Sequence, residues 1–338
     1  MSHMDVFNQD AFNSISLSAS INHVPFLPTR IRELGIFEEI PSSNISQSFE
    51  EKNGQLALVS AQPRGAPKQQ LVPEKRKLIS LSNIHLPEES YVRADEIQGV
   101  RAFGSENDLM GLEQVVQGRL NQMSRDLDAT IEHLRMGALK GQVLDADGAT
   151  VLYDLFSTFG ISQYSEIDFD LDNSNPDPGA VKKKCHDVTR KTQDALGAAM
   201  FTRVHAFCGP TFMDDLVSHP ETREAYARWQ DGEALRQSQA RTTFFYAGIL
   251  FEEYRGSVNG TDFVADTKAH FFPVGVPGLF IQPNAPADWV ETVNTPGLPK
   301  YAKVGKAGQY DEYVPVTAQA NPLPVCTKPK CLIKAKNT

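Results

Sequence analysis

Apolar positions recur along the chain with two different periods, and each change of period marks a new element. At Leu112, Val116, Leu120, Met123, Leu127, Ile131 and Leu134 the steps are four and three, which lines one face of an α-helix. Ser105, with Asp108 three residues on, forms a helix-start pattern, and Gly141 supplies a stop, so the spacing predicts a helix over 105–139. At 1.5 Å per residue it would run roughly 50 Å, well beyond the usual globular helix. The runs Gln142–Leu144 and Ala149–Tyr153 flank Asp145-Ala146-Asp147-Gly148 and predict a hairpin on an Asp-Gly turn. Glu166–Asp172 alternates strictly, which puts Ile167, Phe169 and Leu171 on one face of a half-exposed strand.

Upstream the pattern is looser. Residues 1–44 show little period and carry loop signals at Asn22–Pro28 and Pro41–Asn44, so they read as an N-terminal arm. Its apolar side chains, among them Phe12, Ile15, Leu17, Ile21 and Phe26, need some other surface to cover them. Residues 45–85 read as an extended hairpin: one strand-like run ends in Gln55–Val59, the other is Lys77–Ile84, and a proline-rich tip lies between them. At about 3.3 Å per residue such arms project several tens of Å. A two-stranded ribbon alone is marginal in water, so its partner is expected on a neighbouring molecule.

From Pro178 a second lobe of mixed α/β character begins. Val181, Cys185, Val188, Thr192, Leu196 and Ala199 predict an amphipathic helix, and Thr211–Ser218 and Pro220–Arg228 predict two shorter ones, the last with Pro220 in its first turn. Thr242–Glu253 reads as one long strand whose continuous apolar middle, Phe244–Phe251, is covered on both faces.

Charge sharpens the reading of the hairpin. The 338-residue chain has a formal net charge of −9, which disfavours a surface built to grip nucleic acid. Against that background the tip carries Arg64, Lys68, Lys75, Arg76 and Lys77 with Glu74 as its one acid. These five are the candidate intersubunit contacts, because complementary charge on a neighbour would fix register. The apolar stretch Phe271–Ile281 is short and broken by Pro273 and Pro277, no basic region followed by an apolar run opens the chain, and folding in a cytoplasm is expected. The four cysteines, Cys185, Cys208, Cys326 and Cys331, fit a reducing compartment as unpaired thiols.

Chemistry adds little. Gly137–Gly141 lacks the spacing of a phosphate loop, and there is no G-x-S-x-G elbow or H-E-x-x-H pair. Cys185-His186-Asp187 sets three reactive types side by side, but neighbours on a helix point apart and cannot form a triad. Cys208 after His205 reads as chance proximity, and most of the histidines at 3, 23, 85, 133, 186, 205, 219 and 270 as solvent-facing or capping residues. Asp168, Asp170 and Asp172 begin like a calcium loop, but Asn173 stands at the turn glycine and Gly179 at the bidentate acid. Trp289 lies among apolar neighbours and reads as core. No catalytic, cofactor-binding or metal-ligating residue is assigned, and no cofactor is expected.

The order of arm, hairpin, long helix, hairpin sheet and α/β lobe resembles the α+β HK97-type capsid fold, and more specifically the lambda gpE group of phage major capsid proteins. Met136–Val143 with Asp145–Gly148, Glu253-Tyr254-Arg255-Gly256, Phe272–Phe280, Ala285–Thr292 and Gln319–Pro324 carry the resemblance. It implies that 1–44 is the N-terminal arm, 45–85 the E-loop and 105–139 the spine helix. The peripheral domain would be 86–180, completed by a strand near 306–322, and the axial domain 181–305, completed by 323–338. It also implies pentamers and hexamers of the chain itself, a virion location, packaged DNA enclosed without sequence-specific binding, no membrane partner, and decoration, scaffolding and portal proteins as further partners. A tail or baseplate protein, or a soluble α/β enzyme, are the alternatives; closed shells separate the first reading from rings, tubes or a ligand-stabilised monomer.

Overall fold

The computed structural model describes residues 14–23, 29–51, 77–97, 112–173, 175–197, 199–231, 243–258, 261–306 and 313–338. In chain order these hold α1 (Ser14–His23), α2 (Arg30–Glu33), β1 (Glu38–Pro41), β2 (Ser46–Glu51), β3 (Lys77–Ser82), β4 (Leu86–Arg93), α3 (Ala94–Ile97) and α4 (Leu112–Lys140). Next come β5 (Gln142–Leu144), β6 (Val151–Asp154), α5 (Leu155–Phe159), β7 (Ile167–Asp168), α6 (Ala180–Leu196), β8 (Arg203–Cys208), α7 (Pro210–Ser218) and α8 (Arg223–Asp231). Then follow the strands β9 (Thr243–Tyr246), β10 (Ile249–Glu253), β11 (Ser257–Val258), β12 (Thr261–Asp262), β13 (Lys268–Val274), β14 (Phe280–Asn284), β15 (Tyr301–Val304), β16 (Tyr313–Ala320), β17 (Val325–Cys326) and β18 (Ile333–Lys336), with short 3-10 turns at Val290–Thr292 and Pro329–Cys331.

The chain divides into two compact units, one of 1–47, 81–135 and 281–324, the other of 48–80, 136–280 and 325–338. Residues 136–180 thus belong to the second and 281–305 to the first.

In the first unit, β16 lies between β15 and β4 in an antiparallel sheet, with Val316 opposite both Val304 and Ser90. Val316, Ala318 and Ala320 point to one face, and their small side chains let α4 settle on it through Val116, Leu120, Met123, Leu127 and Ile131. Each such fully buried side chain contributes about 1.5–3 kcal/mol. The expected apolar stripe is therefore the core. The start of the expected helix, including Ser105 and Asp108, lies outside the described residues, and its end comes at Gly141, whose φ of 89° suits glycine. The arm differs from the loop expected in that α1 is helical, and its Leu17 and Ile21 find the covering surface they need in this same core. Serine-rich spacing hid the helix, because the buried stripe of α1 is shared between Leu17, Ile21 and the polar Ser18.

The second unit is built on a six-stranded mixed sheet in the order β7-β18-β13-β8-β10-β9. β8 and β10 run parallel, and β13 is antiparallel to β8. One face, with Val204, Ala206 and Phe271, packs against Val181, Cys185 and Val188 of α6 and Phe212 of α7. The opposite face holds Phe207, Phe272 and Tyr254 in stacked or tilted contact. His205 sits there fully buried, its ring stacked on Phe272 at 5.3 Å between centroids and its Nε2 3.1 Å from the Glu252 carboxylate. His205 is thus a buried partner of an acid, neither solvent-facing nor a cap, whereas His219 does cap α7.

Three expectations here need correction. Thr242–Glu253 is not one strand but the hairpin β9–β10, turned at Ala247 (φ 47°) and Gly248 (φ 85°). Two consecutive positive φ values make the tight turn that matches strand twist, and Gly248 was its only mark inside an apolar run. The third short helix starts at Arg223 rather than Pro220, because Thr222 turns its hydroxyl back to the carbonyl of Leu216. Glu166–Asp172 keeps its alternating burial, yet only Ile167–Asp168 is strand, since Asp170 adopts φ 54°. The hairpin at Asp145–Gly148 forms as expected, with Gly148 N donating to Asp145 O at 2.9 Å.

Candidate assembly surface

The extended hairpin is present at its base, where β2 and β3 form a sheet of their own. Arg64, Lys68, Lys75 and Arg76, with the run Gln55–Val59, lie outside the described residues. Lys77 is the first residue of β3, and its side chain too lies outside the description.

What the structure adds is the root of the ribbon. Asn83, just past β3, donates both amide hydrogens, to Pro283 O and Asn321 O, each at 2.9 Å. Its Oδ1 accepts from Gln47 Nε2 at 3.2 Å, and its backbone N donates to Ile45 O at 2.9 Å. Gln47 also donates to Ser42 Oγ at 2.8 Å, and Ile84 N donates to Pro322 O at 3.0 Å. Asn321 itself is fixed, bonding Pro286 O at 2.8 Å and meeting His85 Nδ1 at 2.8 Å. Asn83 thereby ties the second leg of the ribbon to two crossing loops, and Gln47 ties the first leg to Asn83 and Ser42. Asparagine serves because its fork supplies two donors and an acceptor at one point. No periodicity marks Asn83 or Gln47, and sequence reasoning passed over both.

A second buried polar system holds α4. Ser124, Asp128, Glu132 and Arg135 form a stripe beside the apolar one and are all buried. Lys300 Nζ reaches Asp128 Oδ1 at 2.7 Å, Ser124 Oγ at 2.7 Å and Ser124 O at 3.0 Å. Burial lowers the Lys300 pKa, and the Asp128 carboxylate opposes that shift. Glu132 accepts from Ile31 N at 2.8 Å, while Arg135 bridges Gln282 and Glu39, each at 2.7 Å. The long helix is thus keyed in rotation and height to segments on either side of the ribbon root.

The sheet edge offers an acidic contrast to the tip. Glu88 on β4 is raised above the usual carboxylate range by burial and by Asp126 of α4. Glu89 accepts from Tyr91 Oη at 2.9 Å, which pushes the phenol up.

Reactive groups do not converge. Among the described residues no cluster of His, Cys, Asp and Glu is arranged to hold a metal, and no helix is long and apolar enough to cross a membrane. All four cysteines are buried unpaired thiols, with Cys185 pushed up to about 12 by desolvation. On α6 Cys185 faces the core while His186 is exposed and Asp187 pairs with Lys191 at 2.8 Å. Asp168 pairs with Lys336 at 3.0 Å and accepts from Asp170 N at 2.9 Å. Trp289 is half-buried at a cavity wall instead of lying in the core.

The family described as phage major capsid protein E matches residues 14–337. The major capsid protein of Salmonella phage Felix O1 is 29% identical over 354 residues, spanning 95% of this chain and 95% of its own. Among solved structures, the capsid protein of an E. coli CFT073 prophage superposes with a TM-score of 0.56 at 14% identity, covering 96% of this chain and 99% of the other. The mature capsid subunit of bacteriophage PhiM1 gives 0.50 at 10% identity, covering 90% and 85%.

Proposed function

The chain belongs to the phage major capsid protein E family, and from that premise we propose that its ribbon at 45–85 is the clasp that joins neighbouring copies in the shell. The chain is a major capsid protein with the HK97-type fold, and its role is to assemble with copies of itself into the capsid of the virion, the icosahedral shell that encloses phage DNA.

The hydrogen-bonded root supports the clasp reading. A ribbon whose base is held at Asn83 and Gln47 has less conformational entropy to lose when a neighbour receives it. In the same reading the tip residues Arg64, Lys68, Lys75, Arg76 and Lys77 meet acidic groups of that neighbour. The first unit serves as the peripheral domain. The second serves as the axial domain that meets its copies in pentamers and hexamers. Decoration, scaffolding and portal proteins complete the partner set, and the subunit is made in the host cytoplasm. Assembly is a binding function and requires no catalytic group.

Deleting residues 62–76 tests the clasp. The variant should melt like the parent and yield no stable shells by negative-stain microscopy; normal shells would show that the ribbon tip is dispensable.

A further inference from the structure

Residues of β13 and β18 alternate between the faces of the six-stranded sheet. Ala269, Phe271, Ile333 and Ala335 lie in the core shared with α6 and α7, which sends Lys268, His270, Lys334 and Lys336 to the other face. The register sets Lys334 directly opposite His270 and Lys336 directly opposite Lys268. The second of these pairs is neutralised. Lys268 Nζ donates to both oxygens of Glu166, at 2.9 and 3.0 Å, and Lys336 Nζ meets Asp168 Oδ2 at 3.0 Å. The first pair has no such acid. Its row continues through Phe207 to Glu252, two strands and so about 10 Å beyond His270, where the carboxylate is already paired with His205. A further cation comes in its place: Lys140, from the end of α4, lies near His270 together with Lys334 and Lys268. Lys140, His270 and Lys334 are each half-buried, and among the described residues none of the three makes an ion pair or a side-chain hydrogen bond.

Lys140, Lys268, Lys334 and Lys336 thus face only Glu166 and Asp168, and the surplus positive charge sits where water reaches it poorly. A half-enclosed charge without a counter-charge is costly. Desolvation lowers Lys140 to about 8, and burial with the nearby lysines lowers His270 to about 3, so the imidazole is neutral and still carries one N–H donor. The geometry points to an anion site: Lys140, His270 and Lys334 bind a phosphate group, either free inorganic phosphate or a phosphodiester of the enclosed DNA. The donors come from three separate elements, α4, β13 and β18, and a tetrahedral oxyanion presents acceptor oxygens on every side, which a flat carboxylate does not. Lysine holds phosphate as a point charge and needs no bidentate geometry. Occupancy supplies the missing counter-charge, so phosphate stabilises the fold through this spot. The inference is independent of the ribbon clasp.

The full-length subunit, unassembled, is melted in inorganic phosphate and in sodium chloride of equal ionic strength. Phosphate should raise the melting temperature by several degrees more than chloride does, and the excess should saturate. Lys140→Met and Lys334→Gln should each abolish it. Lys140→Met removes a half-buried charge and should melt at or above the parent without phosphate, so its loss of response cannot come from misfolding. Lys191→Gln, on α6 across the sheet, should keep the full excess. Phosphorus NMR of the parent then separates the two sources: displacement of bound phosphate by a short single-stranded oligonucleotide makes the DNA backbone the ligand, and retention makes it free phosphate. No excess over chloride in the parent, or the same excess in the parent and both site variants, would overturn the site. Stabilisation by oligoglutamate and not by phosphate would overturn it too, in favour of an acidic peptide.

Discussion

Lys300 and Asp128 show how a buried charge depends on its counter-charge. Lys300 is fully buried, and Asp128 is 5% exposed, 2.7 Å away. Replacing Asp128 by Ala leaves an ammonium in the interior without its nearest anion, at a cost of about 3–5 kcal/mol. Urea unfolding should show that loss, and the double variant Asp128→Leu with Lys300→Met should recover most of it; equal losses in both would mean the pair is not coupled. Lys140, at the end of α4, is governed by burial instead. Desolvation lowers it from 10.5 to about 8, and Lys268 and Lys334 share its neighbourhood through His270. Between those two pH values the unfolded chain holds the proton and the folded chain does not, so stability rises with pH across the window and the penalty is full below about 8. Lys140→Met should therefore add about 1–2 kcal/mol at pH 7, discounted for partial solvent access, and flatten the rise. Melting curves from pH 7 to 11 check both.

At the scale of elements, α4 carries two stripes of different chemistry. The apolar one was legible because steps of four and three leave no other face for Leu120, Leu127 and Ile131. Placing Asp at Leu120 or Leu127 would bury a charge against Val316 and Ala318 and should unfold the first unit, read as loss of soluble yield and of the cooperative melt. A normal melt would contradict the packing. The polar stripe Ser124–Asp128–Glu132–Arg135 was not legible, since the same residues on an exposed helix face would look identical. The hairpin β9–β10 was hidden for a related reason: Phe244–Phe251 reads as a continuous buried strand, and only the backbone reveals that Ala247 takes a positive φ. In α1 the reverse holds, because two buried apolar side chains among serines give too weak a period.

On the scale of the molecule, each unit has a core of its own, around α4 and its sheet in one case and around the six-stranded sheet in the other. Deletion of 62–76 should separate folding from assembly, because the described residues by themselves supply a core in each unit. The basic tip in a chain of net charge −9 also fits assembly between identical copies, since one surface attracts what the rest repels. The sequence by itself determined the long helix, its stop at Gly141, the Asp-Gly hairpin, the paired base of the ribbon and the order of elements that resembles a capsid subunit, because these rest on local period and turn chemistry. Tertiary structure alone decided the root at Asn83, the partners of Asp128 and Arg135, the buried pair of His205 with Glu252, and the hollow beside Trp289. Those contacts join residues far apart in the chain, and a side chain's local pattern carries no record of which distant group will meet it.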